Sequence, residues 1–214
     1  WLDVGVDTPI AEEPRRWLVP AARAATVPTP SPSPAEVPAN LETFHSWLRE
    51  GSDLPLFRSG AARALPHGPP QADIMLIAGP PEREDVDDGR PIGGVAWTLA
   101  TRMLAAIGLS AEQAYVASLT CFPATGRLST EEAQRCAEQM KRHIALVAPR
   151  RLLLLGDSPA KALLGAPLAS ARGRLHRVEG IPTVVTFAPR HLLTRPADKA
   201  LAWRDLLLLM SEPV

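Results

Sequence analysis

Arg172, Arg174 and Arg177 interleave with Gly173, Leu175 and His176, and on an extended segment alternate side chains project to one side. Guanidinium groups presented in that way suit phosphate oxygens; the alternative is a basic hairpin on a solvated surface. Cys121 and Cys136 are the other reactive side chains. Two cysteines are too few for a disulfide scaffold and wrongly spaced for a zinc knuckle. Cys136 also falls with Ala133, Met140, Ile144 and Val147 on one apolar helix face, as buried free thiols do. Two further segments carry titratable groups. In Phe187-Ala-Pro-Arg-His191 a lone histidine precedes Leu192 and Leu193 and reads as a helix-start or packing residue, and Glu82-Arg-Glu-Asp-Val-Asp-Asp88 reads as a solvated acidic loop.

The chain has 214 residues, 46% of them hydrophobic, enough for one sizeable core. Lys and Arg number 23, as do Asp and Glu, so net charge gives no pointer to a polyanionic partner. The distribution is uneven. From Lys141 to Lys199 there are eleven Lys or Arg against three acids, Asp157, Glu179 and Asp198. Few cysteines, no apolar run near the ~20 residues that span a bilayer, and no signal-peptide pattern imply a reducing, cytoplasmic setting away from membranes. The chain begins at Trp1, which implies removal of an initiating methionine. A monomer is expected.

These residues need elements to position them. Residues 27–38 form a Pro/Ser-rich linker behind a short N-terminal piece, so residues 1–39 stand apart from a domain at 40–214, and the N-terminal piece is a candidate contact for a protein partner. Leu41, Phe44, Trp47 and Leu48 recur at helical spacing from Asn40. Ala72–Ala78, Tyr115–Thr120, Arg151–Leu155 and Thr183–Phe187 read as buried strands. Between them lie helices: Val95–Ile107, ending at Gly108; one opened by the capping box Ser129-Thr-Glu-Glu132 and closed by Pro149; and a short one capped by Asp157 or Ser158. A last helix runs from about Pro196 to Met210. This alternation predicts a three-layer α/β/α sandwich on a central, mainly parallel, four-stranded sheet. Ligands of such folds bind at the carboxyl ends of the strands, here the loops after Ala78, Thr120 and Phe187.

Those loops also carry a family resemblance. Ala72-Asp-Ile-Met75, Gly89-Arg-Pro91, Arg102-Met-Leu-Ala-Ala-Ile-Gly-Leu109, Leu154-Leu-Gly156, Gly173-Arg174, Leu192-Leu193 and Ala202-Trp-Arg-Asp205 occur in an order and spacing that resembles the bacterial iron-sulfur type of uracil-DNA glycosylase, often called family 4. The resemblance covers Ala72 to the C-terminus. It implies an enzyme that extrudes a base from DNA, stacks it on an aromatic ring, reads its edge with an amide and cleaves the glycosidic bond through an oxocarbenium-like state. A histidine that donates to the departing anion is worth two or three orders of magnitude in such a site.

The chain departs from the pattern at each role. Gly79 or Pro80 stands where the resemblance places an essential glutamate, Ile92 where it places the stacking phenylalanine, Ala117 or Ser118 at the asparagine, and Ala188 at the histidine. Gly79, Pro80, Pro81, Ile92, Ser118, Ala188 and Pro189 are therefore expected to line the substrate pocket, with Asp85 and His191 as stand-ins for the lost catalytic groups. Arg172, Arg174, Arg177 and Arg190 are the expected contacts to DNA phosphates. The resemblance also implies a four-iron cluster on four thiolates. Cys121 and Cys136 fall near the last two, while the first two map near Gly51 and Leu54, so no metal or other cofactor is expected. The expected activity is glycosylase-like with impaired or altered hydrolysis, on single- or double-stranded DNA. The alternatives are an inactive nucleic-acid- or protein-binding module and a small nucleobase pocket with no DNA role.

Overall fold

The structure, a computed structural model, describes residue 38 and residues 40–211. The N-terminal piece and nearly all of the linker lie outside the described residues.

Four apolar segments form parallel strands: β1 (Ile74–Ala78), β2 (Ala114–Ser118), β3 (Leu152–Leu155) and, near the C-terminus, Ile181–Thr186. A fifth strand, β4 (Leu175–Val178), precedes that last one, which is therefore β5, and pairs with it antiparallel. The sheet order is β2-β1-β3-β5-β4, so the four expected strands become five. The addition is a hairpin. Glu179 (φ 50°) and Gly180 (φ 80°) connect Val178 to Ile181, and two consecutive positive φ values make the tight turn that matches strand twist.

Successive side chains point to opposite faces of the sheet. Met75, Ile77, Tyr115, Ala117, Leu152 and Leu154 pack under Cys136, Met140, Ile144 and Val147 of the long helix Thr130–Val147. Ile74, Leu76, Val116, Leu153 and Leu155 pack under Ala96, Ala100 and Leu104 of Gly94–Ala106 and under Leu206 and Leu209 of Lys199–Met210. These two faces make the three layers.

In chain order the helices are α1 (Leu41–Glu50), α2 (Arg83–Asp87), α3 (Gly94–Ala106), α4 (Thr130–Val147), α5 (Asp157–Leu164), α6 (Leu168–Ala171), α7 (Pro189–Thr194) and α8 (Lys199–Met210). Local chemistry starts several of them. The Asn40 side chain accepts from the Thr43 N–H at 2.9 Å ahead of α1, and Ser129 and Glu132 satisfy each other's backbone N–H groups ahead of α4. The acidic segment expected as a loop contains α2, because Asp85 folds back onto the Glu82 N–H at 2.8 Å. Asp157 is the first residue of α5 rather than its cap, and its carboxylate accepts from the Leu168 N–H at 2.9 Å.

The register fixes where chemistry can occur. Ala78 aligns with Ser118 on one side and with Leu155 on the other, and Leu155 aligns with Thr186. The carboxyl ends of four strands thus form one row. The chain reverses its direction of travel across the sheet between β1 and β3, the position at which doubly wound folds open a crevice.

Candidate active site

A cavity of about 240 Å³ lies at that crevice, between the loops after β1, β3 and β5 and the turn before α3. Gly79 and Pro80 line it directly after β1. A Cβ built on Gly79 would lie 3.7 Å from Ser158 Cβ and 3.8 Å from its Oγ, so a Cβ fits there at ordinary van der Waals distance. Ile92 and Pro91 form the wall beside α3. Ala188 and Pro189, at the N-cap and first turn of α7, form the opposite wall. Gly156 (φ 96°) turns the chain tightly beneath Ala188, whose Cβ would lie 3.5 Å from any Cβ added there.

The structure brings together Gly79, Pro80, Ile92, Ala188, Pro189, Asp85 and Arg190. It places Pro81 and Ser118 outside the cavity lining. Pro81 faces an adjoining recess of about 510 Å³, and the buried Ser118 hydroxyl donates to the Thr120 carbonyl at 2.7 Å. The loop after β3 contributes Asp157 and Ser158, which the sequence reading did not single out for the site. Their signal was present: a strand, then Gly156, then a helix start is the arrangement that opens ligand loops in this architecture. The loop after Thr120 lines the adjoining recess instead.

Asp85 is buried and its carboxylate is occupied. One oxygen accepts from the Gly93 N–H at 2.6 Å and from the Arg190 guanidinium, and the other accepts from the Glu82 N–H. Arg190 also donates to Glu84 and stands 3.5 Å from Glu82. Burial opposes the Arg190 charge, but the hydrogen bonds to Glu84 and Asp85 and the carboxylate charges around it more than offset that, and its pKa lies above the ordinary arginine value. Arg190 thus faces the acids of α2.

His191 does not line the cavity. Its Nε2 lies 2.6 Å from the Asp198 carboxylate, and its ring stacks on Phe187 at 4.7 Å between centroids, 7° from parallel. Arg172 lies over the same Phe187 ring and is held by the buried Asp205 at 2.8 Å, which also accepts from Thr186. Arg177 donates to the Gly180 carbonyl inside the β4–β5 turn, and Arg174 is exposed. The alternation expected for these arginines is interrupted because Arg172 ends α6 before the strand begins.

A family model described as the uracil DNA glycosylase superfamily matches residues 65–207. The chain belongs to that superfamily. Among curated proteins, a type-4 uracil-DNA glycosylase of Pyrobaculum aerophilum is 24% identical to it over 79% of this chain and 92% of its own length. Proteins of the same name from Archaeoglobus fulgidus and Saccharolobus solfataricus are 28% identical over 60% of this chain and 71% of their protein, and 31% identical over 55% and 56%.

Within this superfamily the type-4 members imply an iron-sulfur cluster, and the residues here do not fit one. Leu54 is buried beside Phe44, Leu48, Phe122 and Cys121 in an apolar cluster, Gly51 caps α1, and neither offers a ligand. The Arg63 guanidinium stacks 5.0 Å from the Phe122 ring and donates to the Leu48 carbonyl, placing a cation beside Cys121. Among the described residues no group of three or more His, Cys, Asp or Glu side chains is arranged to hold a metal.

Chemically, the cavity of this superfamily member sets apolar walls (Ile92, Ala96, Leu155, Ala188 and Pro189) beside the charged Glu82, Asp85, Asp157 and Arg190. Ser158 supplies one hydroxyl as donor or acceptor.

Proposed function

We propose that this protein is a uracil-DNA glycosylase-like protein of the base-excision type whose cavity takes an extruded nucleobase but whose N-glycosidic hydrolysis is impaired or altered. The observation that carries the reading is the lining itself: Gly79, Ile92 and Ala188 supply neither carboxylate, ring nor imidazole, and the one buried carboxylate, Asp85, already accepts from three donors. Loss of an oxyanion donor alone costs about two to three orders of magnitude in rate.

A second reading, an inactive nucleic-acid- or protein-binding module, is favoured by the Arg190 clamp, which leaves no uncommitted cation among the described residues that line the cavity. For the first reading DNA is the expected partner and for the second DNA or a protein; in either case the cytoplasm is the expected site, with no cluster bound. His191 would act only if its ring moved into the cavity, whose lining it does not join. The test is incubation with uracil-containing single- and double-stranded oligonucleotides, followed by alkaline strand cleavage, beside an active type-4 enzyme. Cutting at a comparable rate would contradict impairment. No cutting together with retained DNA binding would favour the second reading.

A further inference from the structure

The turn that walls the cavity has a second side. Pro91 and Ile92 face the cavity, whereas Asp88, Gly89 and Arg90 face a separate groove of about 510 Å³. That groove is walled by His67 and Trp97, with Leu65 and Pro66 beside them. The two rings stand 5.5 Å apart at 78°, so a planar heterocycle entering the groove lies against the face of one and meets the edge of the other.

The backbone of both walls is held by hydrogen bonds. His67 exchanges two backbone hydrogen bonds with Val116 and extends the sheet at the β2 edge, while the Leu65 N–H donates to the Gly89 carbonyl at 3.1 Å. Trp97 sits in the first turn of α3 and is partly exposed. A preformed aromatic corner loses little entropy on binding.

The groove's lining carries one cation, Arg90, beside two acids, Asp88 and Glu112. Arg172 is held by Asp205 and Arg190 by the acids of α2, but the exposed Arg90 side chain makes no hydrogen bond or ion pair among the described residues. Asp88 at the same rim is engaged with the Gly94 N–H at 2.8 Å. Burial, and then the nearby Arg90 charge, hold the His67 imidazole below its ordinary value, so at neutral pH the ring is an uncharged stacking surface.

We propose that the groove formed by Trp97, His67 and Arg90 is a second nucleotide site, which stacks the base adjoining the one in the cavity, binds its phosphate, and so favours single-stranded over duplex DNA. The proposal rests on the cavity taking a nucleobase. Arg90 and Pro91 are consecutive, so one turn borders both the groove and the cavity. Stacking against an aromatic ring needs an unpaired base face, which a single strand supplies.

The experiment is fluorescence anisotropy of the full chain with a uracil-free oligothymidylate and with its duplex, over a salt series. The single strand is expected to bind at least about tenfold tighter than the duplex. Trp97→Ala should weaken single-strand binding about tenfold or more, Trp97→Phe should restore most of it, and Arg90→Gln should reduce the slope of log affinity against log salt by about 0.7. Single-strand binding that is unchanged in both Trp97→Ala and Arg90→Gln overturns the groove and leaves the cavity reading intact. No binding of either DNA by the wild-type chain at low salt overturns both. Thermal unfolding of each variant separates lost contact from lost fold.

Discussion

Asp85 of α2 and Arg190 of α7 hydrogen-bond across the mouth of the cavity, and Asp85 reaches on to the Gly93 N–H before α3. One buried carboxylate therefore ties together three of the segments that define the site. Its position suits positioning as much as chemistry, and the consequences for stability can be measured.

Asp85→Ala leaves the Gly93 and Glu82 N–H groups without their acceptor and removes the buried one of the carboxylates around Arg190. The expected loss is about 2–4 kcal/mol, since hydrogen bonds to a buried charge are the strong ones. Arg190→Ala should cost about 1–2 kcal/mol, because Asp85 keeps two backbone donors and the arginine is partly exposed. Urea unfolding of the two variants checks the order, which an unimportant surface ion pair would not give.

Asp205 is the second buried acid, accepting from Arg172 and Thr186 beneath the Phe187 ring. Asp205→Ala should destabilise by about 3 kcal/mol through the stranded Arg172 charge. Double replacement with Arg172→Met should recover part of that loss, as measured by thermal unfolding.

His143 lies fully inside the fold, hydrogen-bonded to the Tyr115 hydroxyl at 2.7 Å, with His45 on the same hydroxyl. Burial, and then the His45 charge, hold its pKa down at about 3 against 6.5 for a free histidine. Between those values the unfolded chain binds a proton that the folded chain does not, so stability is full above about pH 6.5 and falls as pH drops towards 3. His143→Gln should flatten that dependence. The check is the melting temperature of both proteins across the same pH series.

If the chemistry is limited by what the cavity walls lack, restoring a donor should help. Ala188 has extended backbone angles open to any residue, and its side chain lines the cavity. Ala188→His is expected to raise single-turnover excision of uracil about tenfold or more. Adding Gly79→Glu, whose Cβ meets Ser158 at ordinary van der Waals distance, should raise it further.

The parts of the fold legible in the sequence are those set by local pattern. β1, β2 and β3 are short apolar runs buried on both faces, and the Asn40 and Ser129 caps declare themselves within four residues. The segment around β4 was legible as extended, with a basic hairpin as one reading, but not as a fifth strand of the sheet, because it is an edge strand with only Val178 buried. α2 was hidden because its support comes from Asp85 rather than from an apolar face. The site was legible as a set of loops. The Asp85–Arg190, His191–Asp198 and Arg172–Asp205 pairs were not, since their partners are supplied by the fold rather than by neighbouring positions.

The central claim, a retained superfamily cavity with impaired or altered hydrolysis, is tested most directly by single-turnover excision from a uracil-containing single strand, with protein in excess over DNA. The predicted rate lies about two orders of magnitude or more below that of an active type-4 enzyme under the same conditions. Complete conversion at the active enzyme's rate would contradict it.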